Sequence, residues 1–570
     1  MSTQPNFIET ILDTNGNPVP GARISYFEAG TTTPLATFSD SSLDTPNTNP
    51  IVTDGNGRYG PVYWQSDKSY KVRVADASDV ILYEVDNLSP LARAGQSSGE
   101  TSSSALAATP LEFGAAADGL VDDAAPLQSA LDAGRSVVDL LGRTYRCDAQ
   151  LNIPSGVTLR NGRLRYTQAG AITCLAMQGE SRSTDDVAIT GISGRVVTAN
   201  LSAVVVQDGD LVILKNSGES AEVEPVVVRA SSASDLTTER SVEFTGCDAI
   251  DRIVNPVTGA ALRDVTVELG PNPTRVLQID GATGARVDGL SVEGAGSANP
   301  MTVVEVSDSY DVDLQNVSAR DDDSTSNGTE LLRIGSSRYL RATRCDSYSG
   351  GDSDDFLARS SGARCIDATL TDCTGGEALS VDGVRLAMRG VSVAGPVTLD
   401  GTRPLLHDCN GGLLTVNAED FAVNAGQFER VQVPGLSAAG TIRDCLVDNP
   451  ADSVAVEFPG GSTIGTIAFR PSVRMSGCRV KTQAAAALAV EQRFARLVLS
   501  GNTFERSDNA GPCIDLNQTG ESYVQLIGNQ TINGSFGVAA TSSPTVQAVG
   551  NDFSASASAS SGLDIDSANR

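Results

Sequence analysis

The densest group of residues able to do chemistry lies in the middle of the chain. It comprises Arg320-Asp321-Asp322-Asp323, then Ser349-Gly350-Gly351-Asp352-Ser353-Asp354-Asp355-Phe356, then Gly375-Gly376-Glu377, and finally Asp382. Asp352, Asp354, Asp355, Glu377 and Asp382 are the candidate site residues. Carboxylates held close together can divide the work of glycosidic cleavage, because like charges raise the pKa of one and leave the other ionised. The same oxygens could instead hold calcium, or could serve only as solvated turn residues where Asp and Gly are expected anyway. The residues alone leave these three readings open. The single histidine, His407, reads as a turn residue, and Arg359 and Arg364 would be the conceivable bases for a lyase.

These residues can meet only if a repeating framework stacks them, and the chain contains one. A five-residue element recurs with Gly, Asp or Asn favoured at its second position and Cys, Asn, Val or Leu at its third. The second positions Gly289, Asn316, Arg344, Asp372, Gly390, Asp408, Asp444, Gly477, Gly501, Gly528 and Gly550 are 27, 28, 28, 18, 18, 36, 33, 24, 27 and 22 residues apart. A weaker copy around Ala425 splits the step of 36, and looser copies lie at 161–165 and 190–194. Turn residues recurring at such intervals mark the coils of a β-solenoid. With coils about 4.8 Å apart, the third positions form one interior ladder: Leu290, Val317, Cys345, Cys373, Val391, Cys409, Cys445, Cys478, Asn502, Asn529 and Asn551. The cysteines are then small core residues and the asparagines a hydrogen-bonded stack. A column does not converge on a metal ion. If the coil step of 28 holds locally, Asp354 lies close to Asp382 and Asp322 beneath Gly350.

Composition agrees with many short strands: 56 Gly and 5% aromatics among 570 residues. A net charge of -29 argues against nucleic acid or an anionic membrane as partner. No stretch reaches the ~20 apolar residues of a membrane span, and residues 1–10 lack a secretion signal, so the expectation is synthesis in a cytoplasm without membrane insertion. The ten cysteines include no C-x-x-C pair, and no cofactor is expected beyond the calcium option.

The first 90 residues are different in kind. They hold Trp64, the only tryptophan, and five of the 11 tyrosines, Tyr26, Tyr59, Tyr63, Tyr70 and Tyr83. Turn signals at Asp13–Pro18 and Asp54–Gly57, and the alternation Tyr70-Lys71-Val72-Arg73-Val74, predict a small antiparallel β-domain. Residues 91–110, rich in Ser, Gly, Thr and Ala, read as a linker. After it, Asp122 or Asp123 can cap a helix that has Pro126 in its first turn, Leu127, Ala130 and Leu131 on one face and Gly134 at its end. The sequence therefore predicts an all-β chain: a small antiparallel domain, 1–90, then a right-handed parallel β-helix over 111–570.

Two segments carry family resemblances. Residues 13–64 resemble the N-terminal modules of phage tail fibres and tailspikes. Residues 111–166 resemble the opening of the pectate-lyase-like β-helix superfamily, with Phe113, Gly114, Asp118, Gly119, Asp122, Asp123, Gly142, Thr144, Tyr145, Ile153, Pro154, Gly156 and Val157 as the matching positions. The resemblance implies a virion protein held to a phage tail or baseplate protein by residues 1–90. It implies side-by-side association into a homotrimer, recognition of a host cell-surface polysaccharide, and in some relatives polysaccharide depolymerase activity. It also implies a helix that covers the open end of the solenoid. The Asn-Thr-Asp, Gly-His-Gly and Arg-Ile-Lys motifs of polygalacturonase-like enzymes do not occur here. Competing readings are a secreted polysaccharide lyase or hydrolase, and a purely structural fibre of the head or tail.

Overall fold

The computed structural model describes residues 9–11, 18–40, 44–65, 68–88, 107–167, 172–182, 187–202, 205–219, 222–270, 275–294, 301–320, 329–348, 355–434, 439–451, 453–458, 472–483, 486–490, 496–508, 510–516, 523–540, 545–556 and 560–561. The chain divides into two compact units, Met1–Ala105 and Leu106–Arg570. Asp13–Asn17, most of the predicted linker, Asp352 and Asp354 lie outside the described residues, as do Asp322 and Gly350.

The first unit contains a four-stranded antiparallel sheet with the strands Ile51–Val52, Arg23–Glu28, Tyr70–Ala75 and Ile81–Leu88 in that order. The alternation read at Tyr70–Val74 is observed: Tyr70, Val72 and Val74 point into a core shared with Ile24 and Tyr26. Trp64 stacks on Tyr70 at 4.7 Å between ring centroids. The turn at Asp54 follows from its side chain, which accepts the amides of Asn56 (2.8 Å) and Arg58 (2.9 Å). Gly57 closes it at φ +73°, where a Cβ would stand 2.9 Å from the Val19 nitrogen.

In the second unit, 43 described strands join in one ladder whose pairings are parallel, each strand bonded to its counterpart one coil later. Thr158–Tyr166 pairs with Ala261–Leu269, which pairs with Arg286–Glu293. This is a parallel β-helix, and the near-universal hand of parallel crossovers makes it right-handed.

The recurring element has a backbone cause. Its second residue is left-handed at every copy from Gly289 to Gly550, with φ between +50° and +78°. There the chain turns a corner, and the amide of that residue reaches the coil above: Arg344 N to Thr371 O at 2.9 Å, Asp372 N to Arg389 O at 2.8 Å and Gly477 N to Ser500 O at 3.1 Å. Gly, Asn and Asp enter this conformation at least cost, so the sequence repeats them. The third residue then points inward, and all eleven ladder residues are buried.

At the C-terminal end the three asparagines saturate one another. Asn502 Nδ2 donates to Asn529 Oδ1 and Asn529 Nδ2 to Asn551 Oδ1, both at 3.0 Å. Each Nδ2 also reaches a strand carbonyl, of Met475, Leu499 and Leu526 respectively. The backbone amides of Cys478, Asn502 and Asn529 are taken up by the Oδ1 atoms of the next coil at 2.8 to 3.0 Å.

The helix Ala124–Leu131 buries Ala124, Leu127, Ala130 and Leu131. The two predicted caps divide their work. Asp122 accepts the Ala124 amide at 3.1 Å, while Asp123 holds the loop amides of Ala116 (2.7 Å) and Ala117 (3.0 Å).

The β-helix is not continuous from residue 111 to the C-terminus. Between the strands Thr173–Gln178 and Val257–Thr258 the chain leaves the solenoid, and seven strands from Ser181–Arg182 to Ala249–Val254 form a separate antiparallel sheet. Residues 190–194, read from sequence as a loose coil element, cover the end of its strand Val187–Ser193, paired antiparallel with Val196–Ala199, and the first residue of the turn between the two. The misreading has a simple source, since Gly-x-x-Gly at a hairpin turn imitates the coil corner. The insertion lies against the outside of the solenoid: Ile366 and Val384 join its core, and Tyr310 joins a second cluster with Leu211, Ile213, Val227 and Ile253.

Candidate functional site

Of the five candidate carboxylates, Asp355, Glu377 and Asp382 are described. Asp355 is fully buried, and its Oδ1 accepts the Thr329 amide at 2.6 Å. Its backbone carbonyl accepts the amides of Glu377 and Ala378 at 2.9 and 3.0 Å. Asp355 thus ties together three successive coils. Glu377 is its half-buried neighbour.

Asp382 faces a different neighbour from the one the spacing predicts. Cys365 pairs with Gly383, which sets Asp382 above Arg364, 3.2 Å from its Nε. The step of 28 holds at Asp346–Thr374 and Arg341–Thr369. It falls to 22 at Phe356–Ala378 and to 18 at Cys365–Gly383. Extra residues in one coil lie in particular corners, so a single spacing does not apply around the whole coil. Asp382 and Asp400 stack in successive coils. Burial first, then Asp400, pushes the Asp382 carboxyl above its usual range, and Arg364 opposes this.

The possible lyase bases are engaged: Arg359 binds Glu330 at 3.1 Å and Arg364 binds Asp382. His407 is exposed at a strand end, with Nδ1 2.8 Å from Asp408. Among the described residues no group of three or more His, Cys, Asp or Glu could hold a metal ion.

A second site was not anticipated from the sequence. Where the insertion meets the solenoid, a cleft of about 470 Å3 is lined by Glu239 and Arg240 from the insertion and by Tyr310, Asp311, Tyr339 and Arg341 from two coils. Its size is that of small-ligand pockets. Tyr310 and Tyr339 meet edge to face at 5.3 Å, and the Arg240 guanidinium lies 5.9 Å from the Tyr339 ring centre. Arg341 binds Asp311 at 2.7 Å, and Glu239 is bound by Arg229 at 3.1 Å.

The wall between insertion and solenoid is fixed by a buried ion pair. Glu224, wholly buried, binds Arg338, itself 3% exposed, and accepts the amides of Glu243 (2.9 Å) and Phe244 (3.0 Å). Burial pushes the Glu224 carboxyl up, and Arg338 pulls against that. Arg338 also lies over Tyr339, at 5.3 Å.

Tyr339 itself is strained. It belongs to a second column of coil corners, Gly284, Asp311, Tyr339, Asp367, Arg385, Arg403 and Asp420, all left-handed with φ between +55° and +65°. A bulky aromatic side chain in that region is uncommon, and it costs about 1–2 kcal/mol. Such strain clusters at ligand sites. The signal in the sequence is faint: two tyrosines 29 residues apart, in a solenoid poor in aromatics, of which Tyr339 sits at a corner where Gly or Asp would be easier and Tyr310 just before the equivalent corner at Asp311.

No protein-family model matches the sequence, and none of the curated proteins does. Solved structures do match. The tailspike gp49 of Pseudomonas phage LKA1 is 15% identical, with 77% of this chain and 80% of that one covered at a TM-score of 0.49. The tailspike gp61 of Pseudomonas phage phi297 is 12% identical, over 74% of this chain and 80% of its own, at 0.48. A tailspike of E. coli bacteriophage HK620 in complex with a hexasaccharide is 9% identical, over 80% and 78%, at 0.41. At these identities the likeness is one of fold: the chain is similar in its β-helix architecture to phage tailspikes.

Proposed function

We propose that this chain is a phage tailspike that recognises a host cell-surface glycan, with the cleft between the insertion and the coils at Tyr310 and Tyr339 as a binding subsite. The observation that carries the reading is Tyr339, kept in a costly backbone conformation on the wall of a cleft that is also lined by Tyr310, Arg240, Arg341, Asp311 and Glu239. An aromatic face beside planar, multiply hydrogen-bonding groups suits a sugar ring, which presents C–H faces and hydroxyl edges together. The pectate-lyase-like opening segment and the tail-fibre-like N-terminal segment support a place on the virion. In the same reading the first unit attaches to a tail or baseplate protein, and three copies associate.

Asp355, Glu377 and Asp382 are proposed as the residues to test for cleavage, with Asp352 and Asp354 beside them in sequence. The buried, amide-bonded Asp355 supports a structural role better than a catalytic one.

The test is binding of the full-length protein to a panel of purified bacterial capsular and O-antigen polysaccharides, compared with Tyr339→Ala. New reducing ends and unsaturated-product absorbance are followed in parallel. The expected result is binding to one polysaccharide, weakened at least about tenfold by Tyr339→Ala, the loss typical of a buried contact residue. Equal binding by both proteins would overturn the assignment of the cleft, and binding to no polysaccharide would overturn the glycan reading. Cleavage that survives Asp355→Asn, Glu377→Gln and Asp382→Asn would exclude those three as catalytic.

A further inference from the structure

We infer that the glycan subsite takes an acidic sugar, with a carboxylate received by Arg240; this rests on the glycan reading above and deepens it. The argument is a charge inventory of the cleft. Its four ionisable side chains besides the tyrosines are Glu239, Arg240, Asp311 and Arg341. Asp311 and Arg341 neutralise each other at 2.7 Å, and Glu239 is neutralised by Arg229 at 3.1 Å. The nearby Arg338 is buried against Glu224.

Arg240 remains. Its side chain is exposed, and no carboxylate among the described residues lies within ion-pair distance of it. Of the two arginines that line the cleft, Arg240 is therefore the one without a carboxylate partner among the described residues. Tyr339 helps to hold it there, since the ring lies within cation–π range of the guanidinium.

A guanidinium presents two parallel N–H donors that match the two oxygens of a carboxylate, and the pair is stronger than a neutral hydrogen bond. A uronic or sialic acid residue whose ring lies by Tyr339 would meet these donors. A neutral sugar would leave the charge unmatched. A phosphate substituent offers similar oxygens, and the test separates the two.

The probe is the bacterial polysaccharide that the full-length protein binds in the panel, used in three forms: native, with its carboxylates reduced to alcohols, and dephosphorylated with hydrofluoric acid. Carboxyl reduction is expected to weaken binding by about 10- to 100-fold, the range of a hydrogen bond to a charged group. Dephosphorylation is expected to leave it unchanged. Arg240→Gln should weaken binding to the native form by a similar factor and leave binding to the reduced form unaffected. Arg240→Lys, which keeps the charge and loses the fork, should fall between, and raising the salt concentration should narrow the gap.

Binding to a polysaccharide without carboxylates, undiminished binding after reduction, loss on dephosphorylation instead, or equal losses by Arg240→Gln on native and reduced forms would each overturn the inference while leaving a glycan-binding protein. Failure to bind any polysaccharide would overturn the glycan reading and this inference with it.

Discussion

The asparagine stack permits a quantitative test of what holds the C-terminal coils together. Asn529 makes four side-chain hydrogen bonds with 1% of its surface exposed. Its Oδ1 accepts Asn502 N and Asn502 Nδ2, both at 3.0 Å, and its Nδ2 donates to Leu499 O at 2.8 Å and to Asn551 Oδ1 at 3.0 Å. Asn529→Leu keeps roughly the volume and removes all four. Asn551 Oδ1 keeps the Asn529 backbone amide, and Asn502 Nδ2 keeps Met475 O. The Asn502 amide is stranded, and the Leu499 carbonyl loses the side-chain donor. Two fully affected groups at about 1–3 kcal/mol each give a loss of about 2–6 kcal/mol.

A solenoid does not unfold as one unit, so the loss should appear locally. The assay is amide hydrogen exchange followed by mass spectrometry. A loss of about 4 kcal/mol corresponds to about 10^3-fold faster exchange in the strands Arg496–Ser500, Tyr523–Ile527 and Thr545–Val549. Ala261–Leu269 and Arg286–Glu293 should be unaffected. Acceleration of less than about tenfold at the C-terminal end, or an equal change in both regions, would refute the reasoning.

Three further outcomes are expected. Cys345, Cys373, Cys409, Cys445 and Cys478 are buried, so a labelling reagent reaches them only when the coils open. Native thiol labelling should therefore run more than about 100-fold slower than after unfolding, and fast native labelling of several would contradict the ladder. Burial, ahead of the Ser307 hydrogen bond that opposes it, raises the Asp280 carboxyl above its unfolded value of 3.8. Its contribution to stability is then complete below pH 3.8 and is lost as pH rises through the raised value. Asp280→Asn should consequently stabilise the protein at neutral pH with the gain vanishing in acid, and a gain independent of pH in denaturant titrations would count against this. Glu224→Gln strips a buried cation of its partner, which costs about 3–5 kcal/mol. Limited proteolysis should speed up between Ser181 and Val254 while the strands from Ala261 to Thr343 stay protected, and an unchanged digestion pattern would show that the ion pair does not fasten the insertion.

The sequence alone determined the solenoid. Corner residues must be left-handed, few residue types tolerate that, and the residue after each corner is buried, so Gly, Asp or Asn followed by Cys, Asn, Val or Leu marks every coil from Gly289 to Gly550 except those that turn at Arg344 and Ala425. It also determined the aromatic core around Trp64 and the helix Ala124–Leu131, whose causes are local: alternation, a carboxylate cap and a terminal glycine.

Tertiary structure alone decided what lies beside what. The excursion from Ser181 to Val254 uses the same hairpin signals as the coil corners, and only its return to pair Thr158–Tyr166 with Ala261–Leu269 shows that it is an insertion. Asp382 stands over Arg364 because extra residues fill particular corners of a coil, which a single repeat length cannot reveal. The cleft joins Arg240 to Tyr310 and Tyr339 across some 70 to 100 residues of chain, and no periodicity links them. The buried pair of Glu224 and Arg338 that holds its wall obeys burial and charge pairing, which act through space rather than along the chain.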